Sequence, residues 1–130
     1  MQPPKNVTIY DWPSSVFWFD EDGILCSISK KTSPPTLKEV VKTIEDFKKI
    51  IGPKKICMLT DASNSGESTK EIRDYAAAEF PKFIKAIAII SKSALGKMLA
   101  NLFFNIKSQP YPTKMFNDEQ EARKWLKQYL

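Results

Sequence analysis

The chain has 130 residues, 42% of them hydrophobic and 12% aromatic, which supplies one core of ordinary size and leaves too little chain for two independent domains. The 20 basic and 15 acidic side chains give a formal net charge of +5, and the chain contains no histidine. Catalysis by Ser-His or Cys-His arrangements and metal binding through histidine are therefore excluded.

The two cysteines, Cys26 and Cys57, are separated by 31 positions and lie inside apolar runs. This spacing matches neither a CxxC redox pair nor a zinc site, so we predict two buried thiols, no metal and no cofactor. No apolar run approaches the ~18 residues of a membrane span, and residues 1–5 lack the apolar core of a signal peptide. These features predict a cytoplasmic protein.

The first elements predicted along the chain form a β-hairpin. After a proline-rich lead, residues 6–12 alternate as an edge strand would, and residues 16–19 and 24–29 flank a turn at residues 20–23. The turn is acidic, but it lacks the later ligands of an EF-hand calcium loop, which favours a plain turn.

A helix and a buried strand follow the hairpin. Thr36 and Glu39 match a capping box, and the helix that they open ends at Gly52. Residues 55–59 then form a continuous apolar run, typical of a strand that is covered on both faces. The loop after this strand, residues 61–67, is rich in Ser, Asn and Gly.

A second helix and a second buried strand come next. Ser68 and Glu71 match another capping box, which predicts a helix that ends at Pro81. Residues 85–90 are again continuously apolar after their first lysine, and they predict a strand in the interior of a sheet.

The third predicted helix begins at Ser91 or Ser93 and has the clearest apolar spacing of the chain. The side that covers the sheet is expected to consist of Leu95, Met98, Leu99, Leu102, Phe103 and Ile106. Phe104 falls off that side. Residues 113–116 predict a short last strand, and Asn117 is expected to open a final helix.

The predicted fold class is α/β. Strands that alternate with helices imply right-handed crossovers and a mostly parallel mixed sheet. We expect about five strands, opened by the antiparallel hairpin, and about four helices.

Three segments of the sequence match a known family pattern: residues 56–61, 86–95 and 114–122. They resemble STAS domains of the SpoIIAA-like class, the anti-sigma factor antagonists. Two others resemble a group of small, functionally uncharacterised bacterial STAS-like proteins: 69–75 and 110–116. The resemblance covers roughly residues 14–130, and it implies a single STAS-like domain, a SpoIIAA-like sandwich, preceded by a lead or edge strand at residues 1–13.

The resemblance implies a non-enzymatic regulatory or protein-interaction domain, in which the loop after the central strand and the following helix meet a partner. In the anti-sigma antagonists, that helix start carries a phosphorylatable serine in an Asp-Ser-Ser-Gly-Leu type motif. The matching residues 61–70 read DASNSGESTK. Ser68 and Thr69 occupy the helix start, but Glu67 precedes them and Lys70-Glu71 replaces Gly-Leu. The candidate partner or phosphorylation residues are Asp61, Ser63, Ser65, Ser68 and Thr69.

The 61–69 loop also has a physical interest of its own. It lies at the carboxyl end of a predicted central strand and leads into a helix N-terminus, where free backbone amides favour an anion. The alternative is that Ser68 or Thr69 only caps the helix and that the rest of the loop is solvated.

The positive charge is concentrated in one segment. Residues 80–117 contain six lysines and no carboxylate. Lysines beside an apolar helix suit a small apolar or anionic lipid-like ligand, or contact with a membrane surface, as an alternative function. The candidate residues are Lys92, Lys97, Phe104 and Lys107. The alternative is that these lysines only keep the protein in solution.

Other partners and activities are less favoured. Only Arg73 and Arg123 among the basic residues are arginines, so no nucleic-acid partner is expected. The two clusters of three carboxylates lie in the hairpin turn and in the first turn of the last helix, where acidity has a structural explanation, so we predict no catalytic residues. Alternation in the hairpin allows either Phe17 or Trp18 to face outward. An open aromatic face there would suggest a homodimer or a ligand groove.

Overall fold

The computed structural model describes residues 1–31 and 33–130, with the side chain of Lys107 outside the described part. The described chain forms one sheet of six strands, whose spatial order equals their order along the chain. The strands are β1 (Tyr10–Asp11), β2 (Ser15–Phe19), β3 (Leu25–Ser29), β4 (Ile56–Asp61), β5 (Ile84–Ile90) and β6 (Thr113–Phe116). Strands β1 to β3 are antiparallel and β3 to β6 are parallel. The predicted mixed α/β sheet is confirmed, with six strands in place of about five.

Four helices cover the two faces of the sheet: α1 (Leu37–Ile51), α2 (Lys70–Glu79), α3 (Ala94–Phe104) and α4 (Glu119–Leu126). Helices α1, α2 and α3 share a core with one face, whereas α4 packs on the opposite face. Within the predicted run of residues 55–59, Cys57, Met58 and Leu59 are buried, and the strand is covered on both sides because neighbouring residues such as Met58 and Leu59 enter different cores.

Because helices cover both faces of the sheet, the hairpin aromatics are buried whichever face they point to. Phe17 enters the core shared with α1, and Trp18, one residue later, enters the core shared with α4. Both side chains are buried, so the hairpin has no open aromatic face at these positions. The hypothesis of a homodimer through an open aromatic face of the hairpin therefore loses the observation on which it depended.

The caps confirm some predicted helix starts and shift others by one residue. Thr36 and Glu39 form the predicted capping box of α1. The prediction that Ser68 caps α2 is wrong, because the hydroxyl of Thr69 accepts the N–H of Ile72. In the same way, α4 is capped by Asp118 and not by Asn117.

The predicted sheet-facing side of α3 is confirmed only in part, since Leu99, Phe103 and Ile106 are half-buried. The fully buried residues of α3 are Gly96, Ala100 and Phe104, of which Phe104 is only 8% exposed. The large residues Leu95, Met98 and Leu102 are instead exposed, Leu95 at 62%. Small side chains let the helix approach its neighbours closely: a Cβ on Gly96 would lie 2.5 Å from the hydroxyl oxygen of Ser91.

Candidate ligand cavity and the 61–69 loop

An apolar cavity of about 190 Å³ lies between the sheet and helices α1, α2 and α3. Each layer contributes large apolar side chains to its wall, among them Phe17, Phe47, Met58, Phe80, Leu99 and Phe103. The lining also includes exposed residues such as Pro34 and Glu67, so the cavity opens to solvent at its rim.

Aromatic rings stabilise the walls of the cavity on both sides. Phe17 and Phe47 pack edge to face with ring centroids 4.4 Å apart, which joins strand β2 to helix α1. Phe103 and Phe104 lie 4.9 Å apart in α3, and both contact Phe80. The rings therefore frame the space with contacts that do not depend on a bound molecule.

Two hydroxyl groups on the sheet also line the cavity. Ser27 of β3 and Thr60 of β4 are register partners, and both side chains are buried. The Ser27 hydroxyl donates a hydrogen bond of 2.6 Å to Oγ1 of Thr60. Neither residue was among the predicted site residues, although each is a small polar interruption in an apolar strand.

The first half of the 61–69 loop is held by hydrogen bonds within the loop and by contacts to Ser29 and Met1. Oδ1 of Asp61 accepts the backbone N–H of Ser63 at 3.0 Å, and its Oδ2 lies 4.0 Å from the amino group of Met1. The hydroxyl of Ser29 donates to the Asp61 carbonyl at 2.9 Å and accepts the N–H of Asn64 at 3.2 Å. Asp61 and Ser63 are thus used for loop geometry and do not line the cavity.

The second half of the loop forms part of the cavity rim. Ser65, Gly66, Glu67 and Ser68 all line the cavity, whereas Thr69 is exposed and caps α2. The structure therefore separates the five predicted loop residues into an anchoring pair, two rim hydroxyls and a helix cap.

The capping role predicts a difference between two adjacent hydroxyls. We expect Thr69→Ala to lower the free energy of unfolding by about 1 kcal/mol, because the N–H of Ile72 loses its acceptor. Ser68→Ala should cost less than about 0.5 kcal/mol, because the backbone carbonyl of Ser68 still accepts from Arg73. Urea denaturation of the two variants measures both values, and equal costs would contradict the assigned cap.

The candidate residues around α3 are divided in a similar way. Phe104 lines the cavity from the buried side of the helix, so its predicted exposed position is wrong. Lys92 is exposed and Lys97 half-buried, and neither lines the cavity. The side chain of Lys107 lies outside the described residues. The structure thus brings Ser65, Ser68 and Phe104 to one cavity and leaves Lys92 and Lys97 apart from it.

The two thiols are unsuited to reaction with a ligand. Burial raises the pKa of the Cys26 thiol to about 12, and burial also raises the pKa of Cys57. A protonated thiol is a poor nucleophile and a poor metal ligand. Among residues 1–31 and 33–130, no group of three or more Cys, Asp and Glu side chains is arranged to hold a metal ion. No helix in that part of the chain is long and apolar enough to cross a membrane.

The sheet order, the two-sided helix cover and the loop after the central strand define a SpoIIAA-like domain. A solved structure with this fold, an uncharacterised protein of the DUF3478 family from Shewanella loihica PV-4, matches with a TM-score of 0.55 at 18% identity. The match covers 97% of this chain and 98% of that chain. The predicted SpoIIAA-like resemblance is therefore confirmed at the level of the fold.

A family model described as a domain of unknown function, DUF7793, matches residues 17–130, and the chain belongs to this family. A second solved structure, of a protein with unknown function from Arthrobacter sp. FB24, is 26% identical. It covers 85% of this chain and 97% of that chain with a TM-score of 0.33. The comparison with curated proteins gave no match.

Proposed function

We propose that the protein is a non-enzymatic binding domain that holds a small apolar molecule in the cavity between the sheet and α1, α2 and α3. The observation that carries this proposal is the cavity itself, which is walled by all three helices and rimmed by the 61–69 loop. The walls of the cavity are mostly apolar, so a ligand that covers them removes apolar surface from water, and this favours binding.

The size of the cavity limits the ligand. An engineered cavity of ~150 Å³ holds a benzene ring, so a volume of about 190 Å³ suits roughly eight non-hydrogen atoms. A single ring or a short chain fits this space better than a long acyl chain. Because Lys92 and Lys97 do not line the cavity, its geometry does not favour an anionic lipid.

The resemblance to the anti-sigma antagonists extends the proposal to a protein partner. Ser65 and Ser68 line the cavity, and the same loop presents the exposed residues Asn64 and Thr69 to the outside. Ligand binding would thus alter the loop that, in the SpoIIAA-like class, meets a partner. Within this proposal the protein acts in the cytoplasm as a ligand-sensing regulatory domain.

Titration with toluene tests the binding function directly. We expect saturable shifts of the methyl NMR signals of Met58 and Ala100, with a Kd of about 1 mM or lower, because toluene fits the estimated volume. Backbone amide signals of residues 65–68 should shift as well, which would show that occupancy reaches the loop. Methyl signals of Ala122 and Leu126 in α4, which packs on the opposite face of the sheet, should stay unchanged.

Variants that fill the cavity supply the controls. Ala100→Met adds volume from α3 and Thr43→Met adds it from α1, so each should weaken toluene binding at least tenfold. Met98→Ala changes the exposed side of α3 and should leave the Kd unchanged. The proposal fails if toluene does not bind, or if both filling variants bind it as well as the natural chain does.

A further inference from the structure

The only buried polar side chains of the described sheet that line the cavity are Ser27 and Thr60. The two hydroxyl oxygens lie 2.6 Å apart, so one of these hydroxyls donates to the other. Each hydroxyl carries one hydrogen atom, and this bond uses one of the two; in the described part of the chain neither side chain makes another hydrogen bond. The pair therefore keeps one buried hydrogen without an acceptor, and a ligand oxygen in the cavity would supply that partner.

The charged groups around the cavity disfavour an anion. The charged residues among its lining are Lys30, Glu39 and Glu67. Lys30 forms an ion pair with Asp11, so its charge is already compensated. Glu39 belongs to the capping box of α1, and Glu67 lies exposed at the rim. A carboxylate entering the cavity would meet two glutamates and no uncompensated cation among the described lining residues.

The start of α2 does not compensate for this deficit. The hydroxyl of Thr69 accepts the N–H of Ile72, and Glu71 adds a negative charge to the first turn. The nearby guanidinium of Arg73 donates to the carbonyl of Ser68. Burying a charged group without a partner costs far more than burying a neutral one, so the cavity selects an uncharged molecule.

We infer that the ligand is an uncharged molecule of roughly eight non-hydrogen atoms that carries one hydroxyl or carbonyl oxygen, and that this oxygen accepts a hydrogen bond from the Ser27–Thr60 hydroxyl pair. The inference rests on the proposed binding function and specifies the chemical class of its ligand.

Three ring compounds of similar size test the inference: benzyl alcohol, ethylbenzene and benzoate. Benzyl alcohol and ethylbenzene differ only in a hydroxyl against a methyl group, and benzoate adds the charge. Titration followed by methyl NMR at pH 7.5 should give benzoate a Kd at least tenfold higher than that of benzyl alcohol. The pH is chosen so that benzoate is fully ionised.

Substitutions at the hydroxyl pair test the hydrogen bond. The double variant Ser27→Ala/Thr60→Val removes both hydroxyls together and should weaken benzyl alcohol roughly tenfold, while ethylbenzene binds as well or better. Each single variant leaves one hydroxyl on the cavity wall whose hydrogen can meet the ligand oxygen, so Ser27→Ala and Thr60→Val should each retain benzyl alcohol.

The outcomes separate this inference from the binding function on which it rests. Ethylbenzene binding combined with tight benzoate binding would overturn the uncharged ligand. Ethylbenzene binding combined with equal effects of the double variant Ser27→Ala/Thr60→Val on both neutral probes would overturn the role of the hydroxyl pair. If neither ethylbenzene nor toluene binds, the proposed function fails, and the inference fails with it.

Discussion

Replacement of Trp18 by alanine is expected to lower the free energy of unfolding by about 3–5 kcal/mol. The side chain is 1% exposed and packs in the core between the sheet and α4, with neighbours such as Ala88 and Leu126. Its indole Nε1 has no hydrogen-bond partner among the described residues, so the loss arises from apolar burial and the cavity left behind. Denaturation in guanidinium chloride, followed by far-UV circular dichroism, measures the change.

Two substitutions and one binding measurement control this result. Trp18→Phe keeps most of the buried ring area and loses no hydrogen bond, so it should cost clearly less. Leu95→Ala removes an exposed leucine and should stay within about 0.5 kcal/mol. Toluene affinity of the folded Trp18→Ala protein should be unchanged, because the ligand cavity lies on the opposite face of the sheet. A cost below about 1 kcal/mol would mean that this face is open.

The strands and helix positions were predictable because local signals coincide there with the global fold. Residues 84–90 are almost continuously apolar, and a strand covered on both faces requires that composition. The pair Thr36 and Glu39 satisfies two backbone donors in one step, so its signal is strong wherever a helix begins. In the Ser68–Thr69 dipeptide, two hydroxyls are within reach of the same helix start, and sequence spacing does not distinguish between them.

The buried side of α3 could not be predicted from apolar spacing. The helix contains apolar residues around its whole circumference, so periodicity does not select one side. The prediction assumed that the largest side chains are buried, whereas close approach required Gly96 and Ala100 at the contact. The buried side of α3 is thus determined by how closely the helix approaches Ser91 and Ala62, which belong to other elements.

The cavity could not be predicted from the sequence either, because it depends on how three helices pack on the sheet. Its volume is the difference between the space enclosed by three helices and the side chains that fill it. Ala100, Ser27 and Thr60 are small residues that come from three distant parts of the chain, and each is ordinary in its own element. Only their arrangement on one side of the sheet leaves space for a ligand.

The second large effect is expected at Asp20, where Asp20→Ala should lower the free energy of unfolding by about 2–4 kcal/mol. The carboxylate is 8% exposed and joins the hairpin turn to α4. Its Oδ1 accepts the N–H groups of Asp22 and Ile24 at 2.9 and 3.0 Å, and its Oδ2 accepts from Arg123 at 2.7 Å. Alanine leaves the two backbone donors without this acceptor and the guanidinium without its buried partner, and urea denaturation at pH 7 measures the cost.

Two variants separate the turn from the ion pair. Asp20→Asn keeps an oxygen for the backbone donors but removes the charge, so it should recover part of the stability lost in Asp20→Ala. Glu119→Gln removes the more exposed of the two carboxylates that contact Arg123 and should cost no more than about 1 kcal/mol. If Asp20→Ala costs as little as Glu119→Gln, the link between the turn and α4 is not a buried ion pair. If Asp20→Ala costs more than Glu119→Gln, as expected, the Asp20 carboxylate holds the turn against α4. The role of Asp20 in the acidic turn is then structural.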